Sequence, residues 1–152
     1  MWFLGHLALG YFSGYAASKY SKQELMIPLV WVFSLMPDLD EFFRRYMVHR
    51  GPAHSIIVAI MIFIPIFILF KKKALPYFAA LASHSLIGDY FVPPTQLFWP
   101  LSNAWFGVSP EFQLTGMTET MVEVLLFSLM GIMILYRRKL FVDSPGSKNN
   151  VR

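Results

Sequence analysis

The sequence contains no cysteine and few charged residues for its length. Only 14% of its 152 residues are Asp, Glu, Lys or Arg, whereas 56% are hydrophobic and the mean hydropathy is +0.50. Without thiols the chain forms no disulfide, and any metal site has to use His, Asp or Glu as ligands. The apolar excess is more than one small aqueous core can bury, which indicates a protein that lies in a membrane.

No basic region precedes the first apolar run, and His6 interrupts that run, so we expect no cleavable signal peptide. The formal net charge is +4, but the basic residues occur in short clusters at the ends of apolar runs, where membrane proteins place them. We therefore expect no nucleic-acid partner. Nothing in the sequence indicates an obligate protein partner.

Five apolar segments predict an all-α fold: a multi-pass transmembrane helical bundle with about five membrane segments. A straight crossing needs about 20 residues, and none of the five is an ideal span, so residues 25–36 have to recruit neighbours, tilt or lie inside the bundle. We expect one transmembrane helical domain over residues 1–140 and a disordered cytoplasmic tail over residues 141–152. The five segments are residues 2–17, 25–36, 55–70, 74–92 and 120–136.

The distribution of Lys and Arg predicts the orientation in a cell (inner) membrane. If the lysines at 71–73 face the cytoplasm, five alternating crossings place ten basic residues on that side and three on the other. The C-terminus is then cytoplasmic. The same topology brings all four His residues and three Asp residues to the extracytoplasmic side, although it was drawn from Lys and Arg alone. These residues are His6, Asp38, Asp40, His49, His54, His84 and Asp89.

Imidazole and carboxylate groups are good metal ligands, and ionisable groups near lipid are costly unless they are paired or metal-bound. Asp38 and Asp40 alternate after Pro37, so both carboxylates can point to one side and bridge two metals. His84 and Asp89 are five residues apart, about 140° around a regular helix, but Gly88 can loosen the helix end and correct this. We predict a site for roughly one to three divalent metal ions, for which Zn, Mn and Fe are all suitable.

The stretch from residue 49 to residue 55 reads His-Arg-Gly-Pro-Ala-His-Ser. The guanidinium of Arg50 suits bidentate contact with a phosphate or carboxylate, and Ser55 is placed to cap the third helix. Glu123, expected to be buried in the last segment, is a second-tier candidate for the site.

Four motifs in order resemble a known family. They are an early Gly-His, Pro-Asp-Leu-Asp, His-Arg-Gly-Pro-Ala-His-Ser, and Ser-His-Ser-Leu-Ile-Gly-Asp followed by Gln-Leu-Phe-Trp-Pro-Leu. Together, over roughly residues 4–101, they resemble the YdjM-like metal-dependent hydrolases of the inner membrane, a family with a LexA-regulated member. The resemblance implies a ligand set distantly similar to that of zinc-dependent phospholipase C.

By that resemblance the first-choice ligands are five residues, with Asp40 and His49 next. One spacing departs from the family pattern, in which the His and Asp of the fourth motif are often four residues apart. The first-choice ligands are His6, Asp38, His54, His84 and Asp89.

The predicted function is hydrolysis of an ester or phosphoester of a lipid or lipid-linked substrate by water that a divalent metal activates, and zinc is the expected metal. Arg50 is expected to hold developing negative charge, and Asp40 to take the proton. The alternative is a non-catalytic metal-binding or transport protein, and a third possibility is a structural protein in which His and Asp groups pair with one another. Each residue also has a simpler interpretation. His6 can be a histidine that packs between helices. Asp38 and Asp40 can end one helix and bond to the N-terminus of the next, and His49 can contact lipid headgroups.

Overall fold

The structure is a computed structural model that describes residues 3–142. This part of the chain is all-helical, as predicted, with short 3-10 turns between the helices and a single isolated bridge between Thr95 and Phe106. The predicted tail lies outside the described residues from residue 143 onward, and its first two positions close the last helix. The α-helices are α1 (Phe3–Ser21), α2 (Ile27–Leu35), α3 (Ile56–Phe70), α4 (Leu75–Ser83) and α5 (Gly116–Val142).

Local sequence signals begin and end these helices. Pro37 starts a 3-10 turn (Pro37–Phe43) directly after α2, because proline removes a backbone donor and cannot continue a helix. Ser55 caps α3, as predicted, and its hydroxyl oxygen accepts from the backbone N–H groups of Ile57 and Val58 at 3.1 and 3.4 Å. At the other end of α3, Lys71 adopts a left-handed φ of 50° and stops the helix.

Helix α1 lies at the centre and contacts α2, α4 and α5. Two of its glycines allow this close approach. A Cβ atom on Gly10 would lie 2.3 Å from Cβ of Ser34 in α2, and one on Gly14 would lie 3.1 Å from the carbonyl oxygen of Pro76 in α4. The glycines on the first segment are therefore packing positions between α1 and its neighbours.

Two apolar clusters hold the bundle together. Phe63 of α3 is buried against Ala74, which directly precedes α4, and against Leu81 of α4. Tyr11 of α1 and Met130 of α5 form the second cluster. Burial of side chains of this size contributes roughly 1.5–3 kcal/mol each, so these contacts fix the helices that carry the polar residues.

One helix of the described chain is long and apolar enough to cross a membrane by length and composition. It is α5, over Gly116–Arg137, and only 11% of its most apolar window is buried. Large apolar side chains are also exposed along α3, including Ile64, Ile68 and Leu69, and such surfaces favour an apolar solvent. The prediction of about five crossings remains a prediction.

The fourth predicted segment is not one regular helix. After α4 the chain continues as a π-helical turn (His84–Gly88) and a 3-10 turn (Asp89–Phe91). The backbone N–H of Asp89 bonds to the carbonyl oxygen of His84, an i→i+5 bond. This turn brings residues five apart to one side, so the helix end loosens at Gly88 as the sequence predicted.

Candidate metal centre

Four candidate ligands from three separate stretches of chain meet at one end of the bundle. Asp38 belongs to the 3-10 turn after α2, His54 to the turn before α3, and His84 and Asp89 to the π and 3-10 turns after α4. We call these four residues the central cluster. Three of them are about 1% exposed, and Asp38 is 36% exposed.

The distances within the central cluster suit a tetrahedral metal site. Nε2 of His54 lies 3.4 Å from Oδ1 of Asp38 and 3.2 Å from Oδ2 of Asp89. Nε2 of His84 lies 3.4 and 3.3 Å from the same two oxygens. Zinc–ligand distances of about 2.0–2.2 Å separate tetrahedral ligands by about 3.3–3.6 Å, so each of these four nitrogen–oxygen separations matches that of two ligands on one ion.

Hydrogen bonding also favours ligation over simple pairing. Neither Nε2 of His54 nor Nε2 of His84 makes a hydrogen bond, although both are buried beside carboxylates. The Nδ1 atom of His84 lies 2.6 Å from the carbonyl oxygen of Ser34. With the proton on Nδ1, the Nε2 lone pair points into the central cluster, which is the tautomer that metal-binding histidines use.

His6 joins the central cluster from α1. Its ring stacks on that of His84, with ring centroids 3.7 Å apart, and its Nε2 lies 3.5 Å from Oδ1 of Asp89. The absence of a side chain at Gly88 makes room, because a Cβ atom there would lie 2.6 Å from the His6 ring. Asp89 thus presents one oxygen to His6 and the other to His54 and His84.

Asp40 and His49 lie on the other side of His54. Oδ1 of Asp40 is 2.7 Å from Nδ1 of His49, and its Oδ2 accepts from the backbone N–H of Arg50 at 3.1 Å. The same Oδ2 is 3.3 Å from Nδ1 of His54. A carboxylate behind a histidine orients the ring and raises its basicity toward a metal, so this position suits a bracing residue as well as a ligand.

The charges of these loop residues are coupled. Burial alone would raise the pKa of Asp38, but the imidazoles of His54 and His84 outweigh it and hold the pKa below its usual range. The pKa of Asp40 is lowered in the same way, by His54 and His49. Burial alone would lower the pKa of His54, yet Asp38 and Asp40 outweigh it and raise the pKa. The carboxylates therefore favour a positive charge at this point, as a proton or as a metal ion.

Three overlapping groups of described residues could hold a metal, each with ligand atoms within 4.8 Å of one another. Neighbouring groups share His84 or His54, so the three groups form one continuous set of possible ligands. They are His6–His84–Asp89, Asp38–His54–His84 and Asp40–His49–His54.

Arg50 closes one side of the centre. Its guanidinium lies 3.6 Å from Oδ1 of Asp89 and donates to the carbonyl oxygen of Pro93 at 2.5 Å. The side chain is 18% exposed, so it lies at the rim, between the buried carboxylate and the outside. A guanidinium in this place can contact an anionic group that enters the site.

Glu123 is buried but lies elsewhere. Its Oε2 accepts from the backbone N–H of Gly5 at 3.4 Å, one of the amides at the start of α1 that have no partner within the helix. Negative charge at a helix N-terminus is favourable. Glu123 belongs to none of the metal-binding groups found among the described residues.

Sequence reasoning did not identify two backbone groups at this site. The carbonyls of Ser34 and Pro93 accept from His84 and Arg50. Any residue type offers a carbonyl, so no sequence signal marks these partners.

Comparison with known proteins identifies a family for this chain. No curated protein and no solved structure matches the chain. The model of the family described as YdjM inner membrane protein matches residues 1–142. The chain therefore belongs to the YdjM inner membrane protein family, and its His and Asp residues form a possible metal site within a membrane protein.

Proposed function

We propose that this protein is a membrane-bound metal-dependent hydrolase acting on an ester or phosphoester of a lipid or lipid-linked substrate, with a ligand set similar to that of zinc-dependent phospholipase C. One observation carries the proposal: in the central cluster the Nε2 atoms of His54 and His84 each lie 3.2–3.4 Å from a carboxylate oxygen of Asp38 and of Asp89. The buried imidazoles of His54 and His84 and the buried carboxylate of Asp89 are costly to keep without a cation. Zinc is the expected metal because N and O donors at this spacing suit it.

The residues around the central cluster supply what hydrolysis requires. A divalent metal at such a site acidifies water and polarises the oxygen of an ester or phosphoester. Arg50, at the rim, contacts the substrate's phosphate or developing oxyanion and stabilises its charge. Asp38 is the most exposed member of the central cluster, so substrate enters on its side.

Proton transfer is assigned to Asp40 together with His49. Water that attacks the ester loses a proton, which has to reach solvent. The Nδ1–H of His49 donates to Asp40, which leaves Nε2 of His49 as the basic atom, and this side chain is 26% exposed. Asp40 orients the ring and stabilises it when it is protonated, as a carboxylate does behind a catalytic histidine.

The position of the centre supports a lipid substrate and a defined side of the membrane. The centre lies at the α3 end opposite the lysines at 71–73, and cytoplasmic loops carry the excess of Lys and Arg. We therefore place the site on the extracytoplasmic side of a multi-pass bundle, at headgroup level. A reporter attached to Arg152 should be inaccessible from outside intact cells, and outward exposure would overturn this side assignment.

The main test is metal content with hydrolysis. Protein purified without chelator should contain zinc or another divalent metal and hydrolyse a chromogenic phosphate ester, and His84→Ala should lose both. Glu111→Gln, which changes an exposed carboxylate, is the control and should keep both. Metal in the wild type without any hydrolysis would favour the binding or transport alternative. A wild type with no metal under metal-replete growth would reject the proposal.

A further inference from the structure

An apolar groove of about 280 Å³ lies between α3 and α4. Small side chains leave this space open, where larger ones would have filled it. Larger apolar side chains, among them Ile56, Ile62 and Trp99, form its walls. The small residues are Ala53, Ser55, Ala59, Ala82 and Ser85.

The groove lies beside the central cluster. Its lining includes Pro37, which precedes Asp38, and Ser85, which follows His84. It also includes Ala53 and Ser55, the two neighbours of His54. Three of the four candidate ligands are thus next in the chain to residues of the groove wall, so the groove lies beside the metal centre.

The groove runs along the membrane-embedded part of the protein. Its α3 wall extends from Ile56 to Ile62, about 9 Å at 1.5 Å per residue, toward the opposite end of the bundle. No charged residue lines it among the described residues. The charged groups Asp38 and Arg50 belong to the neighbouring metal centre and are not part of the groove wall. A charged site therefore lies beside an apolar groove, which matches the two parts of an amphiphile.

We propose that this groove binds the alkyl chain of the substrate, an amphiphile with one extended chain whose phosphate lies at the metal centre and Arg50. The inference rests on the proposed function, because it names the apolar half of the molecule that this site hydrolyses. Each buried methylene contributes about 0.8 kcal/mol, so a long chain gains affinity that a short one does not. The position of the groove beside the ligands distinguishes it from the exposed outer face of α3, which any bilayer lipid can cover.

The test is photolabelling in nanodiscs of phosphatidylcholine. The probe is dodecyl phosphate with a diazirine at the end of its chain, and the competitors are unlabelled dodecyl phosphate and butyl phosphate. Adducts should map to the groove positions of α3 and α4. Unlabelled dodecyl phosphate should reduce the amount of these adducts about tenfold, and butyl phosphate should not reduce it. Labelling spread evenly over exposed α3 residues such as Ile64 and Leu69, without competition, would overturn the proposal.

Two variants fill the groove and one serves as the control. Ala59→Phe and Ala82→Phe should each reduce, by about tenfold or more, the labelling that dodecyl phosphate competes with. Metal content is measured to confirm folding. Two variants are used because Ala59 is only 8% exposed and a larger side chain there can disturb packing. Ile68→Phe adds the same ring at a 70% exposed position outside the groove and should leave labelling unchanged. Full labelling in a folded Ala82→Phe protein would contradict the proposal.

The two proposals fail differently. Competed labelling in the groove of a wild type that binds metal but hydrolyses no ester would support the chain site and overturn the hydrolase. Hydrolysis with scattered labelling would leave the hydrolase standing and overturn the chain site.

Discussion

The Nδ1 atom of His84 lies 2.6 Å from the backbone carbonyl oxygen of Ser34. Ser34 is buried in α2, and its Cβ is the nearest atom to a Cβ built on Gly10 of α1. The packing of α1 on α2 therefore positions an acceptor that orients a candidate ligand on a third element. Loss of a group that orients a metal-binding histidine typically lowers metal affinity by about 10- to 100-fold.

Gly10→Ala should disturb both packing and the metal centre. The new methyl group would lie 2.3 Å from Cβ of Ser34, so α1 and α2 have to separate, at a cost of about 1–3 kcal/mol. Thermal unfolding in detergent measures the loss of stability, and metal titration measures the effect on His84. Gly131→Ala is the matched control because no atom lies within 4 Å of its added Cβ. Equal stability of both variants would contradict the close α1–α2 contact.

Gly88→Ala tests the place of His6 beside the central cluster. The added Cβ would lie 2.6 Å from the His6 ring, which has to move and lose its stacking on His84. We expect metal affinity to fall by about 10- to 100-fold, measured by competition with a chelator of known affinity. Unchanged affinity would show that His6 contributes nothing to the metal centre.

Asp40→Asn tests whether the carboxylate of Asp40 orients His49 and His54 for their roles at the metal centre. The amide keeps the shape but not the charge that holds His49 and His54. We expect metal affinity to fall by about 10- to 100-fold, and hydrolysis at saturating metal to fall as well because His49 loses its orienting carboxylate. The pH profile of the remaining activity should shift, which a merely structural loss would not produce. Wild-type affinity and profile would remove Asp40 from the site.

Arg50→Lys should change catalysis and leave metal binding intact. Lysine keeps the positive charge near Asp89 but loses the bidentate fork, so kcat/KM for a phosphate ester should fall by about 10- to 100-fold. Arg45→Lys, at an exposed position in the same loop, is the control and should behave as the wild type. Loss of metal from Arg50→Lys would show instead that Arg50 maintains the ligands.

Metal should stabilise the fold. The buried carboxylate of Asp89 and its neighbouring imidazoles are costly without a cation, and a ligand at 100 times its Kd stabilises the native state by about 2.7 kcal/mol. Removing metal with a chelator should lower Tm by several degrees, and re-addition should restore it. His84→Ala should show no such shift, and a similar shift in that variant would place the metal elsewhere.

The helices themselves were predictable because their signals are local. Apolar runs mark each helix, Pro37 ends the second, and Ser55 caps the third. Each signal acts through backbone groups within a few residues, so no knowledge of the fold is needed. The choice of candidate ligands was local too, since the sequence has only four His residues and few carboxylates.

Local signals did not predict how His84 and Asp89, five residues apart, come to the same side. A regular helix would have separated them, and the sequence offered only Gly88 as a reason for deviation. The π-helical turn forms where α4 meets His6 of α1 and the carbonyl of Ser34. An irregular turn of this kind is retained when tertiary contacts compensate its poorer backbone geometry.

By itself the sequence determined the helical class, the apolar character and the residue types from which a metal centre can be built, because composition and periodicity depend on neighbours along the chain. Only the tertiary structure decided how these groups are used. It placed Glu123 at the first turn of α1 and put Asp40 behind His54. It also left a groove beside the ligands. These outcomes depend on which helix faces meet, and packing between distant segments sets that.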